Sequence, residues 1–397
     1  MNTKKIKREF YLKKLIDLVE VNVIKIVTGV RRCGKSTLLK QFKDYLSSEG
    51  VKDNQFVYIN FEDLDNEVIK EYHKLNYYVL SKLIPNEINY LFIDEVQLVP
   101  NFEITINSLF IRENLDIYLT GSNAQLLSSE LATLLSGRYI EINMLPFSFK
   151  EYYELKGGNI SETFSMYLEN GGFPESCYID KIESRRDYLN GIFNTVLLKD
   201  IVSRKTISNV QSLEVVIRFL FDNVGSPVSS NKIANILKAD KRIIAPSTID
   251  NYIRGLKDAY IFYDVRRFDL KGKQYLKTLD KYYFVDSGFK SLLLSNGKTN
   301  IGHIIENIVY LELIRRGYRV SIGKIGDKEI DFIAEINGAI SYYQVSLSIL
   351  DENTRKREFA PFYLLKDSYP KYILTMDSLP MSESGIIHKN IINFLLE

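Results

Sequence analysis

Gly29-Val30-Arg31-Arg32-Cys33-Gly34-Lys35-Ser36 fits the pattern GxxxxGK[ST] at every fixed position. Its flanks decide how it is read. Ahead of it, Val23-Ile24-Lys25-Ile26-Val27-Thr28 is a short β-branched run of the kind that a buried parallel strand carries. Behind it, Leu38, Leu39, Phe42, Tyr45 and Leu46 recur at helical spacing, and Gly50 marks a stop. A chance match in a strand–turn–helix of another kind is the alternative. Strand, glycine loop and helix in sequence turn the loop's N–H groups and the helix N-terminus toward phosphate oxygens. The expected contacts run over Gly29, Val30, Arg31, Arg32, Cys33, Gly34, Lys35, Ser36 and Thr37. Lys35 reaches the β- and γ-phosphates and the Ser36 hydroxyl reaches Mg²⁺. Arg31 and Arg32 face either nucleotide or solvent. Cys33 sits at a helix N-terminus beside Lys35, and both features lower a thiol pKa. They predict a thiol more reactive than Cys177 and shielded by nucleotide; an inert small residue filling the loop is the alternative.

A second motif supports the first. Tyr90-Leu91-Phe92-Ile93-Asp94-Glu95 is an apolar strand that ends in two carboxylates. Asp94 is placed to hold Mg²⁺, directly or through water, and Glu95 to orient and polarise the attacking water. Gln55-Phe56-Val57-Tyr58-Ile59-Asn60-Phe61-Glu62-Asp63 reads as another strand, so at least one strand is expected between the two motif strands. With adjacent Asp94 and Glu95, this points to the additional-strand, catalytic-glutamate division of phosphate-loop ATPases. Leu115-Asp116-Ile117-Tyr118-Leu119-Thr120-Gly121 is the next strand, and Ser122 or Asn123 at its end is a candidate sensor of the γ-phosphate, or a helix cap. Ser136-Gly137-Arg138 precedes a further strand, Tyr139-Ile140-Glu141-Ile142. Arg138 is a candidate arginine finger, in cis or from a neighbouring subunit, or else a surface ion-pair partner.

Composition limits the alternatives. The 397 residues predict two or three domains, and 45% hydrophobic with 26% charged residues is ordinary for a globular protein. No run of about 18 apolar residues occurs, so no membrane span is expected. The basic start, Met1-Asn2-Thr3-Lys4-Lys5-Ile6-Lys7-Arg8, has no apolar segment behind it and does not read as a secretory signal. With only Cys33 and Cys177, no disulfide framework is expected, and the reading is cytoplasmic. His73, His303 and His388 lie far apart, which argues against a histidine-based metal or nucleophile site. A net charge of +2 means that any nucleic-acid surface must be local.

The chain resembles a prokaryotic family of AAA-type ATPases that join an ATPase domain to a C-terminal region of unknown function. The resemblance rests on the two motifs, on Phe92-Ile93-Asp94-Glu95-Val96-Gln97, Leu119-Thr120-Gly121-Ser122-Asn123-Ala124, Ser136-Gly137-Arg138, Pro146-Phe147-Ser148-Phe149 and Gly171-Gly172-Phe173-Pro174-Glu175. It continues through Glu306-Asn307-Ile308-Val309-Tyr310 and Glu329-Ile330-Asp331-Phe332-Ile333 to Tyr369-Pro370-Lys371-Tyr372, nearly the whole chain. It implies ATP binding and hydrolysis but supplies no physiological substrate.

Downstream, residues 151–205 look helical and fit the lid of such an ATPase. The glycines and proline of Gly171-Gly172-Phe173-Pro174-Glu175 demand a special turn, either a hinge near nucleotide or a plain structural bend. Residues 206–275 read as a winged helix-turn-helix. Leu213, Val216, Ile217, Leu220 and Phe221 make one apolar stripe, Ile233, Ile236 and Leu237 a second, and Ile249, Tyr252, Ile253 and Leu256 a third. Tyr260-Ile261-Phe262-Tyr263-Asp264-Val265 with a return through Gly272 reads as the wing hairpin. Arg254, Arg266, Arg267, Lys271 and Lys273 are the candidate DNA-phosphate contacts; a protein-binding or packing role is the alternative. Residues 276–397 resemble the PD-(D/E)XK nuclease-like fold, with Glu306 on an amphipathic helix and Asp331 opening the strand Phe332-Ile333-Ala334. An active nuclease of that type would carry Asp/Glu-x-Lys on the next strand, where this chain has Gln344-Val345-Ser346. The lost carboxylate and lysine argue against cleavage, with Lys324 or Lys328 as the only substitutes in view.

The expectation is thus an α/β chain: an AAA-like parallel sheet over residues 1–150, a helical lid, a winged helix and a degenerate nuclease-like domain. Its nucleotide cycle would move DNA- or protein-binding modules. An active ATP-dependent metal nuclease and a non-hydrolysing nucleotide switch are the rival readings. Association into a homo-oligomer is left open, because a trans-acting Arg138 would need a neighbour while no coiled-coil heptads occur.

Overall fold

The computed structural model describes residues 6–124, 135, 137–205, 207, 209–239, 241–275, 280–294 and 301–397; Ser136 of the Ser136-Gly137-Arg138 motif lies outside them. The chain forms two compact units. The first comprises Met1–Met144 with Asp258–Tyr260, and the second Leu145–Lys257 with Ile261–Glu397.

The first unit is built on five parallel strands: β1 Ile24–Thr28, β2 Phe56–Asn60, β3 Asn89–Asp94, β4 Leu115–Gly121 and β5 Tyr139–Asn143, in the order β2-β3-β4-β1-β5. Every residue of β1, β3 and β4 is buried, as expected of central strands covered on both faces. Helix Glu9–Ile16 packs with Lys35–Ser48, and Tyr72–Lys82 with Phe102–Phe110. Ile26, Ile59, Leu91, Ile93, Ile117 and Leu119 interlock with Leu75, Val79, Ile106 and Leu109 in one core. One strand does stand between the two motif strands, as expected. It is β4; β2, which lies between them in sequence, is at the edge and paired only to β3. The ends of β1, β3 and β4 therefore meet at one edge of the sheet, which is where ligands bind in open parallel sheets.

The second unit holds two sheets. The helices Val210–Asp222, Ser230–Ala239 and Pro246–Asp258 bury the predicted stripes except at Ile236, which is exposed. They accompany a small antiparallel sheet of β6 Pro227–Val228, β10 Asp280–Phe284 and β7 Phe262–Val265. The expected hairpin from Tyr260 through Gly272 does not form. β7 pairs instead with β10, in register from Phe262↔Phe284 to Val265↔Lys281. The chain after it makes a separate hairpin, β8 Arg267–Asp269 and β9 Gln274–Tyr275, that joins a seven-stranded sheet. Its remaining strands are β11 Arg319–Ile325, β12 Lys328–Ile336, β13 Ala339–Val345, β14 Lys371–Thr375 and β15 Ile386–Asn390. β8 satisfies the otherwise open edge of β11, running parallel to it from Arg267↔Ile322 to Asp269↔Lys324. Helix Ile301–Arg315 is buried almost all round, and with it Glu306 and Asn307.

The Gly171-Gly172-Phe173-Pro174-Glu175 turn is pinned from two sides. The Asp286 carboxylate accepts from Gly172 N at 2.6 Å and Gly288 N at 2.9 Å. Phe147 N donates to Gly172 O at 2.7 Å, and a Cβ on Gly172 would lie 2.4 Å from Phe147 O. Only bare backbone fits there. Among the described residues, no helix is long and apolar enough to cross a membrane.

Candidate nucleotide site

β1 ends at Thr28, and the loop that follows turns on two residues that tolerate left-handed backbone, Gly29 at φ +142° and Gly34 at φ +106°, with Arg32 at φ +68° between them. Gly29 is tight for another reason: a Cβ there would lie 2.1 Å from Met144 O. Helix Lys35–Ser48 starts directly behind Gly34. Lys35 is 4% exposed, and its Nζ donates to Gly29 O at 3.1 Å and lies 3.5 Å from Glu95 Oε1. Burial pulls the Lys35 pKa down, but Glu95, Cys33 and Asp94 outweigh it and hold the ammonium above its usual range.

Asp94 closes β3 and Glu95 follows it in left-handed backbone, φ +55°, a conformation uncommon for a non-glycine residue. Both carboxylates are held from β4. Thr120 Oγ1 donates to Asp94 Oδ1 and accepts from Glu95 N at 2.9 Å. Ser122 Oγ donates to Glu95 Oε2 at 2.9 Å, and Gln97 Nε2 donates to the same oxygen. The two acids are driven apart. Burial raises Asp94 despite hydrogen bonds from Ser36 and Thr120. Burial also pushes Glu95 upward, but Lys35, Arg31, Gln97 and Ser122 overcome it and keep the carboxylate below its usual range. Arg31 pairs with Glu62. Thr120 and Gln97 had no assigned role in the sequence; only the β3–β4 pairing reveals what they hold.

The structure bears on three further candidates. Cys33 is fully buried, and burial raises its thiol pKa against the pull of Lys35 and Arg8; Cys177 is pushed up to about 12 for the same reason. Of the two readings of Cys33, burial fits the inert residue that fills the loop. Asn123 is buried beside the site, whereas the bond to Glu95 comes from Ser122. Arg138 stands at the wrong edge for a finger in cis. Its carbonyl accepts from Ile24 N, the first residue of β1, whereas the loop follows the last, about 15 Å along the strand. Its exposed guanidinium lies 5.7 Å from the Phe110 ring.

The residues expected of a nuclease-like centre do gather in the second unit, around a cation that was not foreseen. Lys281 of β10, 3% exposed, lies 2.7 Å from Glu329 and 3.3 Å from Glu306. Tyr283 donates to Glu306 Oε1 at 2.7 Å, and Asp331 Oδ2 accepts from Val345 N at 2.8 Å. Gln344 accepts from Asp331 N and donates to Glu358 at 2.8 Å. Asp331 is the fourth residue of β12 rather than its start. Burial, then Glu306, pushes the Asp331 carboxyl well above its usual range despite Lys281. Among the described residues, no group of three or more His, Cys, Asp or Glu side chains is placed to hold a metal ion.

Of the basic candidates, Arg254, Arg266, Lys271 and Lys273 are exposed. Arg267 is drawn inward, 3.4 Å from Glu329, and does not share that surface.

Comparison with known proteins adds to this geometry. The model of an AAA domain matches residues 21–153, and that of a domain of unknown function (DUF8612) matches residues 161–300. An uncharacterized protein of Haemophilus influenzae is 38% identical over 100% of both chains. An uncharacterized protein of Methanocaldococcus jannaschii is 35% identical over 84% of this chain and 73% of its own. A Walker-type ATPase of Pyrococcus abyssi, 15% identical, superposes over 74% of this chain and 97% of its own with a TM-score of 0.51, a likeness of fold.

Proposed function

We propose a function from the premise that this chain belongs to the same family as its bacterial and archaeal relatives, a family with an AAA-type domain. It binds ATP with Mg²⁺ at the β1–β3–β4 edge and hydrolyses it. One observation carries this reading: a charged Lys35, a buried Asp94 and an ionised Glu95 converge on one loop. The residues fit the ligand. Ser36 and Asp94 lie within hydrogen-bond reach of each other and offer the hard oxygens that Mg²⁺ prefers, and the loop bends on Gly29 and Gly34, both at positive φ. Bound Mg²⁺ would neutralise phosphate charge and favour departure of the γ-phosphoryl group. Lys35 binds phosphate oxygens as a permanent cation. Glu95 orients water and accepts its proton, and Ser122 and Gln97 keep its carboxylate aimed. Thr120 fixes the two acids relative to each other.

The nucleotide cycle acts, in this reading, on a winged helix over residues 206–275 and a nuclease-like segment over 276–397, with 151–205 as lid. Exposed Arg254, Arg266, Lys271 and Lys273 support DNA as the partner. The tied carboxylates around Lys281 favour a non-cleaving role for the last segment. The deciding experiment is ATP turnover by wild type, Lys35→Ala and Glu95→Gln, with and without duplex DNA. Expected are DNA-stimulated turnover, loss of nucleotide binding in Lys35→Ala, and retained binding with turnover down about 100-fold in Glu95→Gln, as for loss of a general base. A near-zero wild-type rate with tight ATP binding marks a nucleotide switch. Metal-dependent plasmid nicking lost in Asp331→Ala marks a nuclease.

A further inference from the structure

The first unit contains three residues from far along the chain, Asp258–Tyr260, although the chain on both sides of them belongs to the second unit. They follow the helix Pro246–Asp258. Ile261 N donates to Leu256 O at 2.9 Å, and Tyr260 takes left-handed backbone, φ +57°. This is the helix-ending turn in which glycine is the usual residue at the left-handed position. A bulky aromatic there strains the backbone. Something about the side chain repays that cost.

The side chain is 6% exposed. Its hydroxyl donates to Glu141 Oε1 of β5 at 3.3 Å. The same oxygen accepts from Thr28 Oγ1, and Thr28 is fully buried. Asn143 Nδ2 reaches Thr28 Oγ1 at 3.3 Å from the other side. Thr28 is the last residue of β1, and the next residue, Gly29, supplies the carbonyl on which Lys35 rests. Two hydrogen-bonded side chains, Glu141 and Thr28, thus connect Tyr260 to the root of the phosphate loop.

We propose that Tyr260 is a positioning residue of the nucleotide site: through Glu141 and Thr28 it sets the strand end from which Gly29 and Lys35 are presented to phosphate. It touches no substrate. The arrangement gives the site a component contributed by residues more than 200 positions downstream, and the turn at Asp258–Tyr260 is continuous with the helix before it and with β7 after it. This inference rests on the nucleotide reading of the loop.

The test uses the full chain as wild type, Tyr260→Phe, Glu141→Gln and the double variant. Readouts are affinity for a fluorescent Mg-ATP analogue, KM and kcat, and thermal midpoint. Loss of one hydrogen bond in a positioning chain should weaken analogue binding and raise KM about fivefold in Tyr260→Phe, with kcat within about twofold of wild type and an unchanged midpoint. The double variant should bind no more weakly than the weaker single, because both interrupt the same chain. Wild-type binding by Tyr260→Phe would overturn this inference alone, as would losses that multiply in the double variant. Failure of wild type itself to bind the analogue would overturn the nucleotide reading and this inference with it.

Discussion

Glu95 is kept ionised by its neighbours, not by solvent: burial alone would raise it, and Lys35, Arg31, Gln97 and Ser122 reverse that. Removing one of them has a readable sign. In Ser122→Ala a hydrogen bond that favours the carboxylate is lost, so the Glu95 pKa rises. The acid limb of the turnover profile should move to higher pH, with kcat down roughly tenfold or less at neutral pH. Asp286 shows the opposite balance. Full burial lifts it to about 7 against the pull of two backbone donors. A carboxyl with a pKa raised in the folded state binds its proton more tightly when folded. Its contribution is therefore present below the unfolded value, about 3.9, and is lost as pH climbs through the folded value near 7. Thermal midpoints of wild type should fall between pH 5 and pH 8, and Asp286→Asn should flatten that slope while lowering the midpoint at pH 5.

At the scale of elements, two junctions depend on residues that meet only after folding. Gly171 combines φ +73° and ψ −170°, a region that essentially only glycine occupies, and a Cβ there would lie 1.8 Å from Asp286 Oδ1. Gly171→Ala should cost about 2–4 kcal/mol, read as a lower denaturation midpoint with unchanged helix content. The second junction is Lys281, which ties β10 to Glu306 of the buried helix and to Glu329 of β12. Burial opposes its charge, but Glu306, Asp331 and Glu329 outweigh burial. Lys281→Met strands those acids and should cost about 3–5 kcal/mol. Adding Glu306→Gln should recover part of that loss, which a mere volume effect of the methionine would not allow. Asp331 was legible as a chemical residue from its strand context, but Lys281 was not, because it lies 50 residues upstream in a short strand of a different sheet.

For the whole molecule, net charge is only +2, so the DNA binding proposed above would have to come from a few local cations. If Arg254, Lys271 and Lys273 each neutralise one phosphate, replacing all three with alanine should flatten the log–log salt dependence of DNA binding by about 3 × 0.9. The same substitution should weaken binding to unrelated sequences alike. Arg267→Ala should leave that slope unchanged, because its guanidinium is committed to Glu329.

The phosphate loop, its strand and helix, and the Asp94-Glu95 pair were readable because each is local. A glycine pattern, a β-branched run and a helical repeat lie within a few residues of one another, and short-range backbone preference decides them. The same held for the three apolar stripes between Leu213 and Leu256, Ile236 excepted. Tertiary structure alone decided what depends on pairing distant segments. β4 rather than β2 came to lie between the motif strands, bringing Thr120 and Ser122 onto the acids. Burial decided between the two readings of Cys33 in favour of the inert one, and strand register carried Arg138 away from its own loop. Lys281 and Tyr260 reached their sites from remote stretches of chain. Spacing along a chain carries local geometry, whereas burial and strand order are properties of the packed whole.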